Sequence, residues 1–246
     1  MREKLLDIIK HTDGLGFIEA VKVTGSDEST VFETMDINRT VIVRAELKEA
    51  EESLQGEFGM RNLGLLQNLL NHAPYRADTA SIKVLSKEHD GVAQPDHVEF
   101  TTEGGNDKAT FRFMSAKVLP AQASLKQKNW EIDVTPTDSK IQEFTSLANM
   151  FNGLEQFFKV TTKDGNLVFQ LGDPNGSNHN VSMTFAENVS GEFKANLYWP
   201  IQQFLTVLKI GKNDSPKIQF MSLGALQVTL ETEHANYSYI IPAHKK

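Results

Sequence analysis

The sequence predicts an α+β fold in which one helix-and-strand unit of about 115 residues is used twice. Three observations predict it. The order helix, three strands, connection, strand, helix, three strands runs through residues 1–117 and recurs in residues 130–246. Each half holds segments with apolar residues at three-to-four-residue spacing and segments that alternate, so helices and half-buried strands both occur in each. Residues 116–129 follow neither period and include Pro120, so 118–129 reads as a linker between domains 1–117 and 130–246.

In the first half, Leu5, Ile8 and Ile9 share one helical face over residues 3–12, with Lys4, Asp7, Lys10 and His11 opposite and Gly14 and Gly16 closing the helix. β-Branched, alternating runs at 17–23, 29–35 and 40–47, parted by turn formers at 25–27 and 36–38, form a meander. The acidic stretch 48–52 reads as a solvated connection. A strand at 57–60 leads into a helix over 61–72 that Pro74 ends. Leu63, Leu66, Leu69 and Leu70 make its buried stripe, and Arg61, Gly64, Gln67, Asn68 and Asn71 its polar face. Strands follow at 80–85, 97–103 and 108–114, with a loop over 87–95 and a hairpin turn over 103–107.

The second half begins with a strand at 130–134. Thr135-Pro136-Thr137-Asp138 then opens a helix whose stripe is Ile141, Phe144, Leu147, Ala148 and Phe151, with Gln142, Ser146 and Asn149 opposite. Strands at 155–162 and 167–171 flank an Asp164-Gly165 hairpin, and further strands lie at 180–185 and 193–198. A Pro200-started helix buries Ile201, Phe204, Leu205 and Leu208, and strands at 217–221, 226–232 and 237–241 finish the chain.

Composition narrows the function. The chain has no Cys, which excludes disulfides and thiolate metal sites and fits a reducing cytoplasm. The first ten residues break their apolar positions with charges, unlike a signal peptide. No run approaches the roughly 18 apolar residues of a membrane span. The seven His residues show no zinc-ligand spacing, Gly14-Leu15-Gly16 follows a helix rather than a strand, and neither a nucleophile elbow nor a phosphate loop occurs. The reading is therefore no enzyme, no metal and no cofactor.

Net charge is −7, and neither half is basic: residues 1–120 hold 14 basic and 20 acidic side chains, residues 121–246 hold 11 and 12. Solvated helix faces in such a chain should carry acids. Instead, the helices near 61–72 and 201–209 present Arg61, Gln67, Asn68, Asn71, Gln202, Thr206 and Lys209. Amides, hydroxyls and bases suit phosphate contacts without base readout. Glu3 and Asp7 make the first helix a partial exception.

Near the C-terminus, Leu230-Glu231-Thr232-Glu233-His234-Ala235-Asn236-Tyr237 is similar to the end of the polymerase clamp of T4-type bacteriophages. With the twofold order of elements, the chain resembles DNA sliding clamps along nearly its whole length; the stretches around 48–52 and 87–95 are longer than in that phage protein. The resemblance implies two clamp-type domains, each with two helices on antiparallel sheet, in a head-to-tail homotrimeric ring around duplex DNA. It implies a processivity factor that tethers the replicative DNA polymerase, is placed on DNA by an ATP-driven clamp loader, catalyses nothing, and works in the cytoplasm of a host cell.

On this resemblance Lys4, Lys10, His11, Arg61, Gln67, Asn71, Gln142, Asn149, Gln202 and Lys209 face the DNA. Subunits join between the strand carrying Lys108, Thr110 and Arg112 and the one carrying Asn180, Ser182 and Thr184. Partner peptides enter a pocket at Val118, Leu119, Pro120, Ile240, Ile241 and Pro242, although Ile240 and Ile241 read equally well as core. The other reading that stays open is a phage structural or assembly protein built from a duplicated β-rich unit.

Overall fold

The computed structural model describes residues 1–89, 92–120, 129–173, 179–211 and 214–245. The chain divides into two compact units. The first comprises Met1–Ile37, Val43–Ala123 and Thr232–Tyr237; the second comprises Asn38–Ile42, Ser124–Glu231 and Ser238–Lys246. Residues 121–128 of the expected linker lie outside the described residues. Among the described residues no helix is long and apolar enough to cross a membrane.

The first unit contains helix α1 (Arg2–His11), strands β1 (Ala20–Gly25), β2 (Thr30–Met35), β3 (Ile42–Leu47) and β4 (Gly56–Arg61), and helices α2 (Leu63–Asn71) and α3 (Ala73–Arg76). Strands β5 (Ser81–His89), β6 (Val92–Thr101), β7 (Lys108–Arg112) and β8 (Met114–Ser115) follow. One sheet is ordered β8-β4-β1-β2-β3 and a second β5-β6-β7. Apolar periodicity makes α1 and α2 bury Leu5, Ile8, Ile9, Leu63, Leu66 and Leu70. Arg2 Nε donates to the Leu70 carbonyl at 2.9 Å, satisfying the C-terminal end of α2 with a cation.

The second unit holds β9 (Ile132–Val134), α4 (Asp138–Met150), β10 (Phe157–Lys163), β11 (Asn166–Leu171), β12 (Val181–Ala186), β13 (Tyr198–Pro200), α5 (Ile201–Ile210), β14 (Lys217–Met221), β15 (Ala225–Glu231) and β16 (Ala235–Pro242), whose first residues are counted with the first unit. Its sheets are ordered β12-β11-β10-β13 and β9-β14-β15-β16. Thr137 caps α4, its Oγ1 accepting from the Lys140 N–H. Phe144 of α4 is fully buried, with its ring 5.1 Å from Phe158, 5.2 Å from Phe169 and 5.9 Å from Phe204.

The duplication is visible in the ladders. β4-β1-β2-β3 in the first unit and β13-β10-β11-β12 in the second run in the same order relative to the chain, and three-strand meanders β5-β6-β7 and β14-β15-β16 follow the second helix of each. The fold class is therefore as expected: few helices packed on antiparallel sheets, twice.

Several expected boundaries move. Residues 87–89 and 92–95 of the expected loop are strand: Lys87 pairs with Gln94 and His89 with Val92, and residues 90–91 lie outside the described residues. Pro95 is tolerated because β7 ends opposite His97, so its missing N–H faces no ladder on that side. α2 ends at Asn71, ahead of Pro74 as expected, and Pro74 itself sits in the first turn of the short α3, where a proline is tolerated. Arg61 is the last residue of β4, not the first of a helix. Residues 193–197 are not strand; Phe193 is instead tied to Thr162, whose N–H donates to its carbonyl at 2.9 Å.

Candidate functional site

The helices carry the first group of expected residues. On α5, Gln202 and Lys209 are exposed, and Gln202 donates to Thr206 Oγ1 at 3.4 Å. On α2, Asn71 is exposed and Gln67 half-buried. Neither helix contains Asp or Glu. On α4, Gln142 and Asn149 are exposed, but Glu143 is exposed beside them, its charge met by Lys140 at 2.8 Å.

On α1 the picture separates. Lys10 is exposed, and no salt bridge to it occurs among the described residues. Lys4 is drawn into the acidic connection, which is more than a solvated stretch: its Nζ lies 3.6 Å from Glu51 and 4.0 Å from Glu49. Burial pushes the Glu51 carboxyl up, but the Ser53 hydroxyl, the Met1 ammonium and Lys4 outweigh it and leave Glu51 below its ordinary value. His11 offers DNA no surface. It is fully buried, stacked on Tyr237 at 4.1 Å and 3.8 Å from Asp7, whose other oxygen accepts from Thr232 Oγ1 at 2.7 Å and Tyr237 OH at 2.8 Å. The C-terminal motif thus anchors α1. Arg61 is exposed on β4 and lies 3.6 Å from Glu19, which offsets its charge.

The second group of residues lies on strands with open edges. β7 pairs only with β6, and β12 only with β11, among the described residues. Phe113 N–H donates to the Asp96 carbonyl at 2.9 Å, and Thr102 N–H to the Asp107 carbonyl at 3.0 Å. Because strand backbone groups alternate sides, Lys108, Thr110 and Arg112 turn their N–H and C=O groups to the open edge. On β12 the argument starts from the two-residue Asp164-Gly165 turn, both residues at positive φ, which makes Lys163 and Asn166 a hydrogen-bonded pair. Counting onward, Phe169 and Leu171 face β12, Met183 and Val181 face back, and Ser182 and Thr184 face the open edge. Asn180 precedes β12 rather than belonging to it.

Both edges carry charge or polarity. Lys108 lies 3.6 Å from Glu99. Arg112, Lys87 and His97 converge on Asp96 at 3.1, 3.5 and 2.7 Å. The His97 hydrogen bond, aided by Lys87 and Arg112 against the cost of burial, holds the Asp96 carboxyl below its usual range.

The third group is split between the units. Val118 is 66% exposed and Pro120 is exposed, whereas Leu119 lies over β4, where a Cβ on Gly59 would meet its Cδ1 at 2.9 Å. Ile241 is fully buried in β16, so the core reading of that residue holds; Ile240 and Pro242 are half-buried. Sequence reasoning missed the bulge that gathers cations on Asp96, because it depends on the register of β5 against β6.

No family model and no curated protein matches the sequence. Among solved structures, PCNA from Thermococcus kodakaraensis is similar with a TM-score of 0.66 over 99% of this chain and 97% of that one, at 11% identity. The chain has a PCNA-like clamp fold, and at that identity the likeness speaks for fold alone.

Proposed function

We propose that the chain is a DNA sliding clamp, a non-enzymatic ring of three copies that encircles duplex DNA and tethers a replicative polymerase. The observation that carries the reading is the pairing state of equivalent strands. In the first unit the sheet continues past β3 to Ala235–Tyr237, the start of the last strand, with Lys48 N–H donating to the His234 carbonyl at 2.9 Å. β12 is the counterpart of β3, and β7 is the counterpart of β16. Their edges are open, so the β7 of one copy supplies to the β12 of the next what Ala235–Tyr237 supplies to β3 within the first unit. Repeating that step head to tail closes a ring when the rotation permits.

Such a ring presents α1, α2, α4 and α5 to DNA. Lys10, Asn71, Gln142, Asn149, Gln202 and Lys209 meet phosphates, with Gln67 beside them and Arg61 a weaker contributor because of Glu19. Few, sequence-independent contacts leave no deep well along the duplex, which permits sliding, and the acidic balance of the chain repels DNA from its other surfaces. Working partners are a polymerase and an ATP-driven loader, and the C-terminal motif is consistent with a T4-type phage source and a host-cytoplasmic setting.

The test is topological. The chain is loaded with its cognate loader onto nicked circular plasmid and separated from free protein at high salt. Retention on the circle and release on linearisation supports the clamp. Equal retention on both forms, or none on either, assigns the fold to another role such as a structural or assembly protein.

A further inference from the structure

The first unit carries a groove of about 450 Å³ between β4, the β5–β6 hairpin and the segment around β8. Its floor is apolar: Phe113 is half-buried with its ring 4.4 Å from Phe58, and Pro95 and Met114 lie beside it. Its rim is basic. Lys117 is exposed and has no salt bridge among the described residues, and Lys87 is exposed across from it.

The two acids on the groove are already engaged. Glu57 lies 3.3 Å from Lys22. Asp96 is the extra residue of a β-bulge, since Leu85 pairs with His97 and Ser86 with Pro95. The bulge turns its carboxylate onto Lys87, His97 and Arg112 together. One carboxylate shared by two cations, Lys87 and Arg112, cannot neutralise both. In a chain of net charge −7, this groove combines surplus positive charge with an aromatic floor.

We propose that this groove binds an acidic peptide segment of a partner protein, with an aromatic side chain on Phe113 and Met114 and flanking carboxylates on Lys87 and Lys117. Charge complementarity selects the occupant: an uncharged apolar peptide leaves the lysines unused, and an acidic peptide places its carboxylates on them while burying one aromatic side chain on the floor; a single-stranded nucleic acid, whose bases also stack on aromatic rings, is the rival that the competition below separates. The site goes beyond the clamp reading and does not depend on it, because every residue involved lies in one unit of a single copy.

The experiment measures fluorescence anisotropy of the full chain with a short labelled peptide carrying two phenylalanines between aspartates. Competitors are its Phe-to-Ala and Asp-to-Asn counterparts and a single-stranded oligonucleotide of equal charge. K87Q/K117Q is expected to weaken peptide binding about tenfold at low salt, while K163Q/K194Q in the second unit leaves it unchanged. Both competitor peptides should displace the probe poorly. Equal weakening by the two double variants, equal competition by the oligonucleotide, or undiminished binding to K87Q/K117Q would overturn the proposal. Loss of self-association in K87Q/K117Q would also overturn it, by assigning the groove to a second copy. Retention on circular DNA is read separately, so failure of either account is recognisable.

Discussion

Replacing Thr110 by proline isolates the open edge of β7 from the unit that carries it. The N–H of Thr110 points away from β6, so T110P removes no hydrogen bond of the β6–β7 ladder and should leave the melting of the unit within about 1 kcal/mol. Toward a docked β12 the loss is larger. One inter-strand hydrogen bond disappears, and the ring occupies the position of the incoming carbonyl and leaves it buried and unpaired. A missing bond of about 1 kcal/mol plus an unpaired acceptor of about 2 kcal/mol gives about 3 kcal/mol, or roughly a hundredfold weaker association per interface. Sedimentation velocity across a dilution series reads this directly. The unsubstituted chain should sediment at about three times its 27.5 kDa mass, T110P should fall to the single-chain mass at concentrations where the parent is assembled, and T110V, which keeps the N–H, should follow the parent. Phe111 faces β6, so F111P should instead lower the melting temperature. T110P assembling at the parent's midpoint would refute the edge-pairing argument.

Reversing the charges of Lys10 and Lys209 should weaken equilibrium binding to duplex DNA and flatten its dependence on salt, by about 0.9 in logarithmic slope for each phosphate that is no longer neutralised, as a salt titration would show. The same reversal at Lys4 should act less on DNA and more on stability, because Lys4 already serves Glu51. F144A removes the ring at the centre of the second unit's aromatic cluster and should cost about 3–5 kcal/mol in denaturant unfolding, while the first unit's transition stays in place. Glu51 titrates below its ordinary 4.5 when folded, so its contribution to stability is complete above that value and is lost as pH falls through the folded pKa. E51Q should therefore melt lower than the parent at neutral pH and converge with it in acid.

Local signals fixed what local physics controls. The Asp164-Gly165 turn, the Thr137 cap and the Leu, Ile and Phe stripes were legible because each needs only neighbours within one turn of chain. The twofold order of elements was legible for the same reason, whereas the two edge strands were named only through the resemblance to sliding clamps. What the sequence hid is set by long-range partners. His11 sits at a helical position that looks polar, yet Tyr237, more than two hundred residues away, covers it. Lys4 counts as a free cation until Glu51 folds back onto it. Residues 87–95 combine Lys, Glu, His and Pro in a composition typical of loops, and only pairing between the two arms of the hairpin makes 87–89 and 92–95 strand.

The head-to-tail ring is tested most directly by covalent closure, for which the absence of native Cys gives a clean background. A chain carrying both T110C and S182C, joined by oxidation or a short bismaleimide, should yield linked species that end at three chains, while either single substitution alone stays unlinked. A ladder that continues past three, efficient linking of a single variant to itself, or no linking at concentrations where the chain is assembled would contradict it.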